Sequence, residues 1–212
     1  VAPDGILFGN TYGGGSQNGT GTLFKIVPNR AFTRLFTFGV ESVPPAPFIG
    51  IIGFFPTGSL AYGSVDGAFY GVTASGGQYG DGVLFNITAN GTFTKLHDFD
   101  VDGISQNNGG PQGGLVQGSD GKFYGTSQYS GTMPPTYPGF VFRRELDGTI
   151  TVLHDFDGSN GQWPQTDLML ASDGNLYGTT WAGGGGGGSN CAGYNGCGTI
   201  FRVVLPAGTV ET

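Results

Sequence analysis

Charge is the first shortage in this 212-residue chain: Asp, Glu, Lys and Arg make up 11% of it, with 8 basic side chains against 15 acidic ones. A nucleic-acid partner needs a clustered Lys/Arg surface, which a chain of formal net charge −7 with so few cations does not supply. Long apolar runs are also missing. The most apolar stretch, Pro47 to Pro56, is far shorter than the roughly 20 residues of a membrane-spanning helix and is broken by Gly and Pro. No segment keeps a 3.6-residue apolar period between helix caps, so no helix of any length is expected. No basic-then-apolar leader opens the chain, which is read as mature or trimmed. Histidine is limited to His97 and His154 and cysteine to Cys191 and Cys197, so the residue types that metal and nucleophile chemistry use most are scarce.

What the chain has is glycine, 44 residues, and 13% aromatics, enough large apolar groups for a core joined by Gly-, Ser-, Thr- and Asn-built loops. It also has a repeat. Asp4-Gly5-Ile6-Leu7-Phe8-Gly9 returns as DGAFYG from Asp66, DGKFYG from Asp120 and DGNLYG from Asp173, at steps of 62, 54 and 53 residues. A second landmark recurs as Leu23-Phe24-Lys25, Leu84-Phe85-Asn86, Val141-Phe142-Arg143 and Ile200-Phe201-Arg202, and a third as FTRLFTF, FTKLHDFD and ITVLHDFD. The unit is about 53 to 55 residues, and the first unit carries an insertion.

Within a unit, four short runs rich in aromatic and β-branched residues are separated by Asp-Gly, a Gly-rich stretch and Asn-Gly, which reads as four strands joined by hairpin turns. A four-stranded sheet of this size buries both faces only when neighbours stack on each side. The expected fold is therefore all-β: a β-propeller of four tandem four-stranded blades forming one repeat domain over 1–212. Blade 1 is placed at 1–58 with the insertion at 39–55, blade 2 at 59–113, blade 3 at 114–166 and blade 4 at 167–212. Both end blades are expected to be incomplete, the first for want of an inner strand and the last for want of an outer one.

The runs GLVQGSDGKFYGTS (Gly114 to Ser127) and LHDFDG (Leu153 to Gly158), with the Gly-rich loop before GTIF (Gly198 to Phe201), resemble the bacterial GloVer tandem repeat, found in exported proteins that carry one of several cell-surface anchors. The resemblance covers nearly the whole chain and is weaker in the first unit. It implies an exported, extracellular or cell-surface β-propeller-like array and brings no catalytic residues with it.

Cys191 and Cys197 lie in GGGGGGSNCAGYNGCGTIF, where a disulfide is the expected tie for a loop of so much glycine, and where a metal pair would want closer spacing or further ligands. Asp98, Asp100 and Asp102 alternate and end in Gly103, the spacing that wraps oxygens around Ca²⁺; the alternative is that they cap a strand end and solvate a turn. His97 and His154 occupy equivalent repeat positions, which favours a role in the blade over acid-base work. The sequons at Asn18, Asn86 and Asn90 fit an exported glycoprotein.

Repeated residues are consumed by the blade, so function is sought in unrepeated ones. The insertion supplies Phe48, Ile49, Ile51, Ile52, Phe54 and Phe55, a segment apolar enough to expect a partner if exposed. The loops between second and third strands supply Tyr79, Tyr129, Tyr137, Trp181 and Tyr194, rings suited to stacking on sugars or to sealing the core. The expected function is structural or adhesive, through self-association of copies of the chain, with filaments as one form. The alternative is a lectin-like module for polysaccharide. No enzyme activity and no cofactor other than possible calcium is expected.

Overall fold

The computed structural model describes residues 1–15, 19–39, 52–99, 110–128, 138–185, 191 and 196–212. Among them the chain is all-β, in four antiparallel sheets. The first holds β1 (Leu7–Thr11), β2 (Thr22–Ile26) and β3 (Phe32–Thr37). The second holds β4 (Phe54–Tyr62), β5 (Phe69–Ser75), β6 (Val83–Ile87) and β7 (Phe93–Asp98). The third holds β8 (Val116–Gln117), β9 (Phe123–Ser127), β10 (Phe140–Arg144) and β11 (Ile150–Asp155). The fourth holds β12 (Gln162–Pro164), β13 (Met169–Leu170), β14 (Leu176–Ala182), β15 (Ile200–Val204) and β16 (Thr209–Glu211). β12 and β13 pair with the two halves of β14, as the two halves of the irregular β4 pair with β5. The fourth sheet thus has its outer strand, β16, which the sequence reading expected to be missing; Ala207-Gly208 turns tightly enough to leave room for it. The sheets also start earlier than the repeat boundaries, at Phe54 and Gln162.

The most repeated motif is a turn clamp. In each of the last three sheets the Asp of Asp-Gly accepts the backbone N–H two residues on with one oxygen, at 3.0 to 3.2 Å. Its other oxygen accepts the hydroxyl of the Tyr four residues on: Asp66 from Tyr70 at 2.6 Å, Asp120 from Tyr124 and Asp173 from Tyr177 at 2.8 Å. The following glycines sit at φ 69, 81 and 82°, where a side chain is strained. Burial and Asp120 together push the Tyr124 phenol well above its ordinary value, so it stays a donor.

The Gly that follows the Tyr, or Phe8 in the first repeat, is needed for space. Gly9, Gly71, Gly125 and Gly178 stand directly opposite Phe24, Phe85, Phe142 and Phe201 on the next strand. A Cβ on Gly9, Gly71 or Gly125 would come within 2.6 to 2.7 Å of the facing ring's Cζ, and one on Gly178 would come closer still. Leu60, Leu115 and Leu168 crowd the same spot from the inner strand in the last three sheets. The pair therefore locks ring against bare backbone, a cross-strand contact that fixes register.

These locks feed a serial stack. Leu23 and Phe38 of the first sheet pack against Phe69 and Phe85 of the second. Tyr70 and Leu84 of the second meet Phe123 and Phe142 of the third. Tyr124 and Val141 of the third meet Leu176 and Phe201 of the fourth. Along the inner edge one carboxylate spans three sheets: Asp167 accepts the N–H of Gly114 at 2.6 Å and of Ser59 at 3.0 Å, at the position that Ser59 and Gly114 hold in their own repeats.

Replacing Gly125 by Ala should overpack the Phe142 lock and cost about 1–3 kcal/mol, whereas Phe142→Ala should cost about 3–5 kcal/mol. Urea unfolding followed by Trp fluorescence checks both; a Gly125→Ala chain as stable as the parent would contradict the packing described.

Candidate functional site

The connections between second and third strands leave each sheet at the end opposite the Asp-Gly turns, so the stack carries them on one face. That face holds two aromatic pairs. Tyr12 stacks on Phe55 with ring centroids 4.9 Å apart, and Trp163 lies tilted against Trp181 at 5.5 Å. Phe55 and Trp163 are equivalent in their repeats, each precedes a proline, and each is held at positive φ, 57° and 59°. Non-glycine residues in that region cost free energy and persist only where the surroundings fix them. Tyr12 is 61% and Trp181 54% exposed, so one ring of each pair faces solvent. Of the rings picked out in the sequence, Trp181 and Tyr79 are exposed here, while Tyr129, Tyr137 and Tyr194 lie outside the described residues. Trp163 was missed; its place before Pro164, matching Phe55 before Pro56, is the signal that could have found it.

The other expected sites resolve differently. Cys191 and Cys197 form a disulfide with Cα atoms 5.3 Å apart. Asp98 accepts the Gln78 N–H at 2.8 Å and pairs with Lys95 at 2.5 Å, so its oxygens are engaged within the protein; Asp100 and Asp102 lie outside the described residues. Among the described residues no three His, Cys, Asp or Glu side chains gather as a metal site. His97 and His154 sit edge-on to Phe99 and Phe156, at centroid distances of 5.3 and 4.9 Å, as the repeat position suggested. Asn86 lies within β6 with its Oδ1 buried, Asn90 forms the turn before β7 and accepts the Thr92 N–H at 3.3 Å, and Asn18 lies outside the described residues. Of the insertion's apolar run, Ile52 packs into the core between the first two sheets and Phe54 and Phe55 are half-buried in β4, so these three make no exposed patch. Phe48, Ile49 and Ile51 lie outside the described residues.

Four antiparallel sheets stacked in chain order, each built on one repeat, define an all-β repeat protein of propeller-like fold. Two solved structures share that fold: a luciferin-regenerating enzyme, at 14% identity and TM-score 0.56 over 95% of this chain and 58% of that one, and a putative gluconolactonase, at 14% identity and TM-score 0.54 over 99% and 67%. The chain thus spans about three-fifths to two-thirds of their length. No curated protein matches it by sequence. The chain belongs to the Gloeobacter/Verrucomicrobia repeat family, whose model matches residues 1–192.

Two expectations follow. Burial holds the His154 imidazole below its ordinary pKa despite the carboxylates of Asp155 and Asp157. The unfolded chain therefore binds that proton more readily, and the stability involved is present above pH ~6.5 and lost as pH falls below it. Thermal unfolding at pH ~7.5 and ~5.5 should show a smaller drop in His154→Gln than in the parent. The six-position disulfide loop should add about 2 kcal/mol by restricting the unfolded chain, so a Cys191→Ser/Cys197→Ser chain should unfold at correspondingly lower urea.

Proposed function

We propose that the chain is a structural, non-catalytic array of the bacterial exterior: a four-bladed propeller segment that associates with copies of itself through its two end sheets. The observation that carries this reading is what the end sheets leave uncovered. Leu23, Leu84 and Val141 hold one repeat position, face the next sheet and are buried; Ile200 holds it in the fourth sheet and is 72% exposed. In the opposite direction Phe69, Phe123 and Leu176 are buried against the preceding sheet, while Leu7 at their position in the first sheet is exposed. Phe32, equivalent to the packed Phe93 and Ile150, is exposed as well, and so is Met169 on β13 of the fourth sheet. No core cluster among the described residues joins the fourth sheet to the first.

The fourth sheet of one copy therefore offers the surface that the first sheet of another is built to receive, a head-to-tail contact that extends into a filament unless it closes. The disulfide suits an oxidising compartment, and the family's export agrees with it. Sedimentation velocity over a concentration series should show association that Ile200→Lys or Phe32→Lys abolishes; a monomer at every concentration would overturn the reading.

A second reading is favoured by the Trp163–Trp181 pair, whose Trp181 ring is exposed: binding of neutral polysaccharide on the loop face, where rings among Gly, Asn and Gln suit sugar faces. Affinity electrophoresis through soluble glucans and mannans should retard the parent and release Trp181→Ala. Unretarded migration in all of them would retire that reading.

A further inference from the structure

One repeat position breaks its own pattern. The second residue after the core Phe is Ile26, Ile87 and Val203 in three repeats but Arg144 in the third. Ile87 and Val203 are completely buried, packed toward the preceding sheet, so the repeat builds this position as an apolar plug between blades. Arg144 puts a guanidinium there instead. Its Cζ lies 5.3 Å from the centroid of the Tyr70 ring of the second sheet, and Tyr70 in turn stacks on Phe123 at 4.2 Å. Arg143 and Arg202 each pair with a glutamate, whereas Arg144 forms no ion pair among the described residues. Its Nε is buried and meets no acceptor among them. A buried guanidinium N–H left without an acceptor is unfavourable, because it has given up water and gained no partner.

The gap it faces is shaped for a ligand. A cavity of about 320 Å³ opens between the second and third sheets, walled by Tyr70, Phe123 and Arg144, which falls in the range of small-molecule sites. Val65 and Leu146 rim it, 87% and 68% exposed; Val65 is a departure that lengthens its turn by a residue, while Leu146 stands where the second repeat has Ala89 and the fourth Leu205. Gln117 lends its side-chain oxygen to the Ser64 N–H across the same gap, at 3.0 Å. The Asp66 carboxylate on the wall is occupied by Tyr70 and the Ala68 N–H, and Asp147 feels the Arg144 charge from the exposed turn beside it. The matching gap between the first and second sheets, about 250 Å³, is lined by Phe8, Tyr62, Phe69 and Ala89 with no charged nitrogen.

We infer that the cleft between the second and third sheets is a binding site for a small carboxylate carrying a ring, with Arg144 holding the carboxylate and Tyr70, Val65 and Leu146 flanking the ring. The site lies at the Asp-Gly turn face and is independent of the end sheets and of the Trp pair. An aromatic acid and a uronic acid share this chemistry, and titration separates them.

The test is a ¹H–¹⁵N titration of the whole chain with benzoate, phenylacetate, glucuronate and, as a bare anion, sulfate, following arginine Nε–H and backbone signals. At least one ring carboxylate should bind saturably and move the Arg144 Nε–H and the Val65 and Leu146 amides. Arg144→Ile restores the residue type of the other repeats and should weaken that binding at least tenfold, with Arg144→Lys intermediate. Benzoate or phenylacetate binding alone assigns an aromatic acid, and glucuronate alone a sugar acid. The inference is overturned if no ring carboxylate saturates, if sulfate binds as well as the best of them, or if Arg144→Ile binds like the parent.

Discussion

A phenylalanine ring laid on bare glycine backbone is the contact from which the rest of this molecule follows. It occurs once in every sheet, between the strand that follows the Asp-Gly turn and the next strand, and it needs both partners: a Cβ on the glycine leaves no room, and without the ring the glycine is a weak point in a strand. In the last three sheets the ring also crowds a leucine of the inner edge and lies T-shaped against a Phe of the preceding sheet. Stacking then continues through Tyr, Leu and Val of one sheet onto Phe and Leu of the next. The Asp-Tyr clamp sets the turn that delivers the glycine to its place. A chain this poor in charge and helix-forming pattern is held by that one contact repeated, with Asp167 tying the inner edges together.

Much of this was legible beforehand, because the repeat displays its own constraints. DG-x-x-Y-G names the turn glycine, the clamped tyrosine and the spacer glycine in one line, and the L-F landmark names the ring that covers it. The equivalence of His97 and His154 pointed to a role in the blade, and the structure sets them edge-on to Phe99 and Phe156. Less legible was the last strand, since Thr209–Glu211 is short and follows a turn of different length from the others. The apolar insertion was legible only in part: Phe54 and Phe55 look surplus as sequence, yet they open β4, an irregular strand whose first half pairs with the Thr73–Ser75 end of β5, and Phe48, Ile49 and Ile51 lie outside the described residues. Composition cannot distinguish an apolar patch from the start of a buried strand.

The candidate sites were legible only as departures. Trp163 and Phe55 share a position before proline and a backbone conformation no local propensity predicts. Arg144 looks ordinary in FRRELDG until its column is compared with Ile26, Ile87 and Val203. Ile200 and Leu7 look like any strand residues until their equivalents are seen to be buried. For Arg144, Ile200 and Leu7 the repeat supplies the control: three or two positions say what the fold requires, and the odd one says where something else is expected. The same logic separates the solved relatives of this fold from its chemistry, since their likeness lies in the stacked sheets and stops there.

The division between fold-bearing repeats and binding departures is tested most directly by differential scanning calorimetry of one chain carrying Trp181→Ala and Arg144→Ile together. Both side chains lie outside the locks and the clamps, so the account predicts an unfolding transition as cooperative as the parent's, at or above its midpoint, because aliphatic residues already fill the Arg144 position in the other repeats. A transition that broadens or falls by many degrees would mean that these departures support the fold, and the division would be wrong.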